Sequence, residues 1–242
     1  MPANEFNWIT IHFARFEHEP MISEATFPGP PAAKTWRCGP DAALATDGFR
    51  LPNSKIWGGC AYYDSRDDAQ ATLALGDADL PCAAMATESW HGLAGVVTHR
   101  GEIDLSTAFE PHPAFAPLGA APDGVLAVVT SAGYQNMSEA DHGRYKEFLQ
   151  GVENVRDYYS SIPANVMRQV FNPPDTPDGC TFTIWRGTPQ MLQSAYKHGT
   201  HSDMLERHRL SPLFDRSSFT RLSLQQSRGT WGGVDPLAEA AA

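Results

Sequence analysis

Two halves of this 242-residue chain follow one plan. Ile9 matches Leu126 at an offset of 117, Asp64 matches Arg186 at 122, and Arg100-Gly101 matches Arg228-Gly229 at 128. An offset that grows by a few residues at a time is what loop insertions in one of two copies produce. In the first copy, Asn7 to Phe16 alternates as a strand, with Trp8, Thr10, His12 and Ala14 on one side and Ile9, Ile11 and Phe13 on the other. Lys55 to Tyr63 is a second strand, Ser65 caps a helix from Arg66 to Leu75, and Ser89 to His99 is a third strand. Residues 19–34, with Pro20, Pro28, Pro30 and Pro31, read as a loop.

A linker marked by Pro111, Pro113, Pro117 and Pro122 separates the copies. In the second copy Val125 to Thr130 is a strand, Ser138 caps a helix from Glu139 to about Gly151, and a further helical piece runs to Ser160. Thr181 to Arg186 is a strand, Thr188 caps a helix through Tyr196 with Pro189 at its first position, His201 to Arg209 is a short helix, and Ser218 to Gln226 is the last strand. Each half thus reads strand, helical segment, strand, helix, strand. The expected fold class is α+β: duplicated ferredoxin-like halves, residues 1–110 and 123–237, pairing their sheets into a dimeric-type α+β barrel within one globular unit.

Composition narrows the function. Eighteen Lys and Arg against 28 Asp and Glu give a net charge of −10, and no basic cluster exists, so a nucleic-acid partner is not expected. The longest apolar stretch, Gly124 to Thr130, is far short of the ~20 residues of a spanning helix, so no stable membrane insertion is expected. The opening Met-Pro-Ala-Asn-Glu lacks the charged and apolar regions of a signal peptide, which points to a cytoplasmic protein. Cys38, Cys60, Cys82 and Cys180 are widely spaced and read as reduced, buried thiols.

The densest group of ligand-capable side chains is His198, His201 and His208; on one helix His201, Leu205 and His208 share a face. No carboxylate or thiolate completes a zinc set around them, so surface or helix-capping histidines are the plainer reading. His12, on a central strand, could face a pocket or be a hydrogen-bonded core residue. Trp57, Trp90, Trp185 and Trp231 fall on or just after strands, where they pack a core or wall a flat ligand. No nucleophile elbow, P-loop or dinucleotide fingerprint is present.

Six segments together, ITIHFARF, LPNSKIWGGCAYY, ESWHGLAGVVTHRG, CTFTIWRG, AYKHGTHSDMLERHR and RGTWGGVDPL, run in order over nearly the whole chain. They resemble the spheroidene monooxygenase family, itself similar to haem-binding dimeric α+β barrel proteins. The resemblance implies a b-type haem whose iron is held by a histidine at the start of the helix after the CTFTIW strand. That pattern falls on Thr200-His201 and makes His201 the expected axial ligand, its Nδ1 fixed by a backbone or side-chain acceptor.

A haem there needs an apolar wall, from Trp185 or Phe182 on opposite faces of one strand, and a basic partner for its propionates, from Arg186, Arg209 or Arg228. His12, Thr183 and Ser89 are the expected residues of the opposite, catalytic side, although the family carries a residue other than histidine at the place of His12. The expectation is a haem-dependent monooxygenase-type oxidoreductase acting on a small apolar organic substrate, with an electron donor as partner. The alternatives are a haem-dependent lyase or dehydratase acting on an N–O bond, resembling aldoxime dehydratases with a histidine as acid, and a non-catalytic haem-binding protein. Association into a homo-oligomer is left open by a duplicated unit that can close its own barrel.

Overall fold

The computed structural model describes residues 8–20, 27–101, 125–173, 178–197 and 199–242; the proline-rich linker and His198 lie outside them. Eight strands form one antiparallel sheet: β1 (Trp8–Arg15), β2 (Thr35–Leu44), β3 (Arg50–Tyr63), β4 (Glu88–Gly101), β5 (Leu126–Gly133), β6 (Asn165–Phe171), β7 (Gly179–Trp185) and β8 (Arg216–Gly229). Their spatial order is β2-β3-β1-β4-β8-β5-β7-β6. Read outward from the central β4–β8 pair, the first four run β4-β1-β3-β2 and the last four β8-β5-β7-β6, the same ferredoxin-like order twice. The outermost strands come together where the backbone N–H and Nδ2–H of Asn172 both donate to the Pro40 carbonyl (3.0 and 3.2 Å). The sheet is thus nearly closed, which removes most of its exposed edge.

The repeated Arg-Gly has a structural cause. Gly101 (φ +119°) ends β4 and Gly229 (φ +80°) ends β8. A Cβ at Gly101 would sit 2.2 Å from the Ser217 carbonyl oxygen, and one at Gly229 would sit 2.2 Å from that of Ser89. The close approach recurs on both sides of the pseudo-twofold axis, and only glycine meets it.

Strand pairing corrects the repeat by one residue. Trp8 faces Tyr63 and Gly95, while Leu126 faces Trp185 and Ser223, so Trp8, not Ile9, is the counterpart of Leu126. The offset is therefore 118, and a register of 117 would have placed the inward Ile9 on the outward Leu126, since a one-residue slip reverses every side chain. Inside the barrel Ile9, Ile11, Phe13, Cys60, Trp90, Val129, Phe171, Phe182 and Ile184 pack together. The rings of Phe13 and Phe182 lie 5.5 Å apart and those of Trp90 and Phe182 6.0 Å apart. All four cysteines are buried thiols outside any disulfide. Burial pushes the Cys82 thiol up to about 12.

Each half has four strands rather than the three expected. β2 contains Gly39-Pro40 and carries a bulge at Pro40/Asp41, a setting in which proline is tolerated in a strand. β6 spans only seven residues. The outer faces differ as well. The first half carries α1 (Arg66–Ala74), capped as expected by Ser65, whose hydroxyl accepts from the Asp68 N–H. No helix lies between β1 and β2 among the described residues, where residues 19–34 read as a loop.

The second half carries α2 (His142–Ser160), continuous through Gly151, then α3 (Thr188–Leu192), a π-helical turn at Gln193–Lys197, and α4 (Thr200–Leu210). Gly187, not Thr188, is the cap residue of α3. A last helix, α5 (Pro236–Ala241), follows β8. Among the described residues no helix is long and apolar enough to cross a membrane.

Candidate active site

A cavity opens in the second half, between the outer face of the sheet and the layer formed by α2, the π-turn and α4. Its volume is about 130 Å³, several times the space that one water needs. Val128 and Thr130 of β5, Thr181, Thr183 and Trp185 of β7, and Arg168 of β6 form the floor. Phe148, Val152, Val155, Arg156 and Tyr159 of α2 form one wall, and Met191, Ala195, His201, Met204 and His208 the other. The α2 positions recur at helical spacing, and this stripe faces the cavity.

His201 enters the cavity from the first turn of α4. Its Nδ1 lies 2.7 Å from the Ala195 carbonyl oxygen. Ala195 belongs to the π-turn, and a chain break in helical pairing before α4 leaves end carbonyls in need of donors. The imidazole satisfies one of them. Burial holds His201 below the ordinary histidine range, with the carbonyl opposing weakly, so the ring is neutral, carries its proton on Nδ1 and keeps a lone pair on Nε2. Tyr159 stacks on it (ring centroids 5.9 Å, 18°) and Tyr196 meets it edge-on (6.2 Å). Gly199, just before α4, has φ +97° and lies against the Tyr158 ring, so the approach to this helix also requires glycine.

His208, one face-repeat further along, has the opposite tautomer. The Leu213 N–H donates to its Nδ1 (3.0 Å) and its ring stacks on Phe214 at 3.9 Å. Its lone pair is committed to the backbone, so of the two cavity histidines only His201 offers a free nitrogen.

The floor is apolar apart from three threonine hydroxyls and Arg168. Trp185 lies in the outer layer against Tyr159 (4.9 Å, edge-on) and donates its indole N–H to the Thr183 hydroxyl (2.9 Å). The ring of Phe182 points into the barrel, so of the two expected wall residues Trp185 is the one on the cavity side. Arg156 is held by Glu153 (3.2 Å), by Asp41 of β2 (3.5 Å) and by the Ala42 carbonyl (3.4 Å).

The other expected site residues lie elsewhere. Arg186 donates to the Pro163 and Glu239 carbonyls and fastens α5. Arg209 is exposed on the last turn of α4. His12, Ser89 and Arg228 are linked through His91 and Asp77 over the sheet of the first half, and they do not line the cavity of His201. There the Tyr63 hydroxyl lies 3.0 Å from that of Thr10, which lies 2.6 Å from His12 Nε2. His12 Nδ1 faces His91 Nδ1 at 2.8 Å, and His91 Nε2 is 3.3 Å from Asp77. Ser89 and Arg228 also bond Asp77.

One assignment fits the row: Tyr63 donates to Thr10, Thr10 to His12 and His12 to His91, with both imidazoles neutral, and the His91 Nε2–H lies near Asp77 without an aligned hydrogen bond. Burial, then the neighbouring charge of Arg228, depresses His91 to about 4; burial, then His91 and Arg228, also lowers His12. Burial opposes ionisation of Asp77, yet the bonds from Ser89 and Arg228 hold its carboxyl below the usual range. His12 is thus buried with both ring nitrogens hydrogen-bonded. Its partner His91 lies 79 positions away, beyond the reach of any local spacing rule.

No protein family matches the sequence, and no curated protein does so significantly. Among solved structures, the fold is similar to that of aldoxime dehydratases. One such enzyme superposes with a TM-score of 0.58 at 8% identity, covering 91% of this chain and 82% of that one. An aldoxime dehydratase in complex with butyraldoxime gives 0.57 at 8% identity, over 96% and 81%. A monooxygenase-like protein from Fusobacterium nucleatum subsp. nucleatum gives 0.41 at 10% identity, over 96% and 97%. The likeness is one of fold, and it does not single out the spheroidene monooxygenase family.

Proposed function

We propose that the protein is a haem-dependent enzyme acting on a small apolar organic substrate, with His201 as the axial ligand. The observation that carries this reading is the neutral imidazole whose Nδ1–H is held by the Ala195 carbonyl, leaving a free Nε2 in an apolar cavity. These residues fit the group: a fixed tautomer for the metal, flat apolar walls from Trp185, Tyr159 and Phe148, and guanidinium groups at the cavity edge. A haem held in this way would supply a redox-active iron. Tyr159 and Tyr196 keep the ring plane of His201 from turning. The apolar α2 stripe excludes water and selects an apolar substrate. On the floor, the Thr183 hydroxyl accepts from Trp185 and retains its own proton to donate.

Oxygen insertion, the reaction of a monooxygenase, places one oxygen atom in the substrate and sends the other to water, with two electrons from a donor. A carbonyl-bonded imidazole gives little electronic push toward O–O cleavage. A second reading, loss of water from an aldoxime to leave a nitrile, is favoured by the fold likeness to aldoxime dehydratases and needs neither oxygen nor net electrons.

Protein supplied with hemin is expected to show a Soret band that His201→Ala abolishes; an unchanged band in the variant overturns the ligand assignment. Substrate-linked oxygen uptake then identifies the monooxygenase, whereas anaerobic conversion of butyraldoxime to butyronitrile by the reduced protein identifies the dehydratase. Hemin binding with neither activity leaves a haem carrier.

A further inference from the structure

We infer that the part of the cavity framed by α2 and β6 is a carboxylate seat, where Arg168 receives the acid group of a ligand whose body is apolar. The inference deepens the reading above by naming the ligand's chemistry. Arg168 stands on the outer face of β6, opposite Thr183 in register, and lines the cavity. Two guanidinium groups meet here, and they are not equivalent. Arg156 is matched by Glu153 and Asp41. Arg168 has no hydrogen bond or ion pair among the described residues.

Burial, and next the charge of Arg156, weakens the hold of Arg168 on its proton; Asp157, on the exposed side of α2, acts in the opposite sense from beyond ion-pair distance. A charged group in an apolar recess without a counter-ion is held at a cost that an anion relieves. The planar fork of a guanidinium matches a carboxylate in two parallel bonds, a geometry that an ammonium lacks. The whole chain carries a net charge of −10, so general attraction does not draw an acid to this surface, and recognition falls to the local pair of arginines. Around them the lining is Val128, Val152, Val155, Phe148 and Met204, which suits the apolar remainder of such a ligand.

Two sources carry this chemistry: a haem propionate and a substrate carboxylate. Wild type and Arg168→Gln are titrated with hemin and with hemin dimethyl ester. The haem-loaded proteins are then titrated with dodecanoate and methyl dodecanoate. A charge-assisted pair is worth roughly a 10- to 100-fold preference for acid over ester. If hemin is preferred and Arg168→Gln erases the preference, the seat takes a propionate. If only dodecanoate is preferred and the variant erases that, the seat takes the substrate.

Equal binding of acid and ester in both series, or a preference that survives in Arg168→Gln, overturns the inference. If hemin does not bind but the haem-free protein discriminates dodecanoate from its ester through Arg168, the seat stands and the haem reading falls. Removing an unpaired cation is not expected to lower stability. Arg168→Lys, which keeps the charge without the fork, is expected to retain part of the preference and serves if the glutamine variant fails to fold.

Discussion

The two halves use one strand order to opposite ends: the first fills the space between sheet and helix, and the second leaves it open. Strand registers make the comparison residue by residue. His12, which faces Gly59 and His91, corresponds to Thr130, which faces Thr181 and Phe219. Tyr63 likewise corresponds to Trp185. In the first half these places hold the row from Tyr63 to Asp77, closed over by Trp36, whose ring meets His12 edge-on at 5.6 Å. In the second half the same places hold a threonine and a phenylalanine that line the cavity. The helices follow suit. A single α1 lies over the filled face, whereas α2 and α4 frame the open one and deliver His201. A duplicated fold can therefore stabilise itself with one copy and keep the other for chemistry.

The strongest way to test the equivalence is at its two glycines. Gly101→Ala and Gly229→Ala each combine a positive φ with a Cβ 2.2 Å from a carbonyl oxygen. Each is expected to cost about 3–5 kcal/mol, from strain at a left-handed residue plus the backbone shift. Denaturant unfolding of both checks this. Costs that differ by more than about 2 kcal/mol would show that the β4–β8 crossing is not the symmetric joint described here.

Acid separates the halves next. His91 titrates near 4 in the folded chain, against about 6.5 when unfolded. Between these values the unfolded chain binds the extra proton, so stability rises with pH in that window. It is complete above about pH 6.5 and lost as pH falls toward 4. The loss is on the order of 3 kcal/mol. The double variant His12→Thr, His91→Phe installs the second half's pair in the first and is expected to reduce the pH 4–6.5 slope, leaving the part due to His99, His201 and His208. Denaturation midpoints across that range are the measurement; an undiminished slope would place the acid sensitivity elsewhere.

How far the residues announced this arrangement depends on what kind of contact was needed. Alternation along β1 separates His12 from the face of Ile9, Ile11 and Phe13 as the structure does, because a strand's period is a local property. It carried no information about which of two pseudo-equivalent layers was hollow. That is decided by His91, Trp36 and Asp77, which come from three other segments. β2 and β6 escaped notice because prolines interrupt or flank them, and Arg168 was missed with β6. Arg156 was within reach, since Val152, Val155, Arg156 and Tyr159 follow the helical spacing of one face. Of the basic residues expected as propionate partners, Arg186, Arg209 and Arg228, no local pattern singles one out. Two of them fasten other parts of the fold.

The smallest expected effect concerns one hydroxyl of the open half. Thr183 corresponds to Ala61, which lies fully buried beneath α1 with no polar partner to serve. On the cavity side the same position must accept the indole N–H of Trp185 at 2.9 Å, in a residue only 1% exposed. Thr183→Val preserves the side chain's shape and removes the acceptor, leaving that N–H without its bond. The expected cost is about 1 kcal/mol, the worth of one neutral hydrogen bond, with an upfield shift of the Trp185 indole proton as the specific signature. A variant that loses no stability and leaves that resonance in place would mean that Trp185 is held by packing against Tyr159 alone. The floor of the cavity would then be as indifferent to polar detail as its counterpart around Ala61.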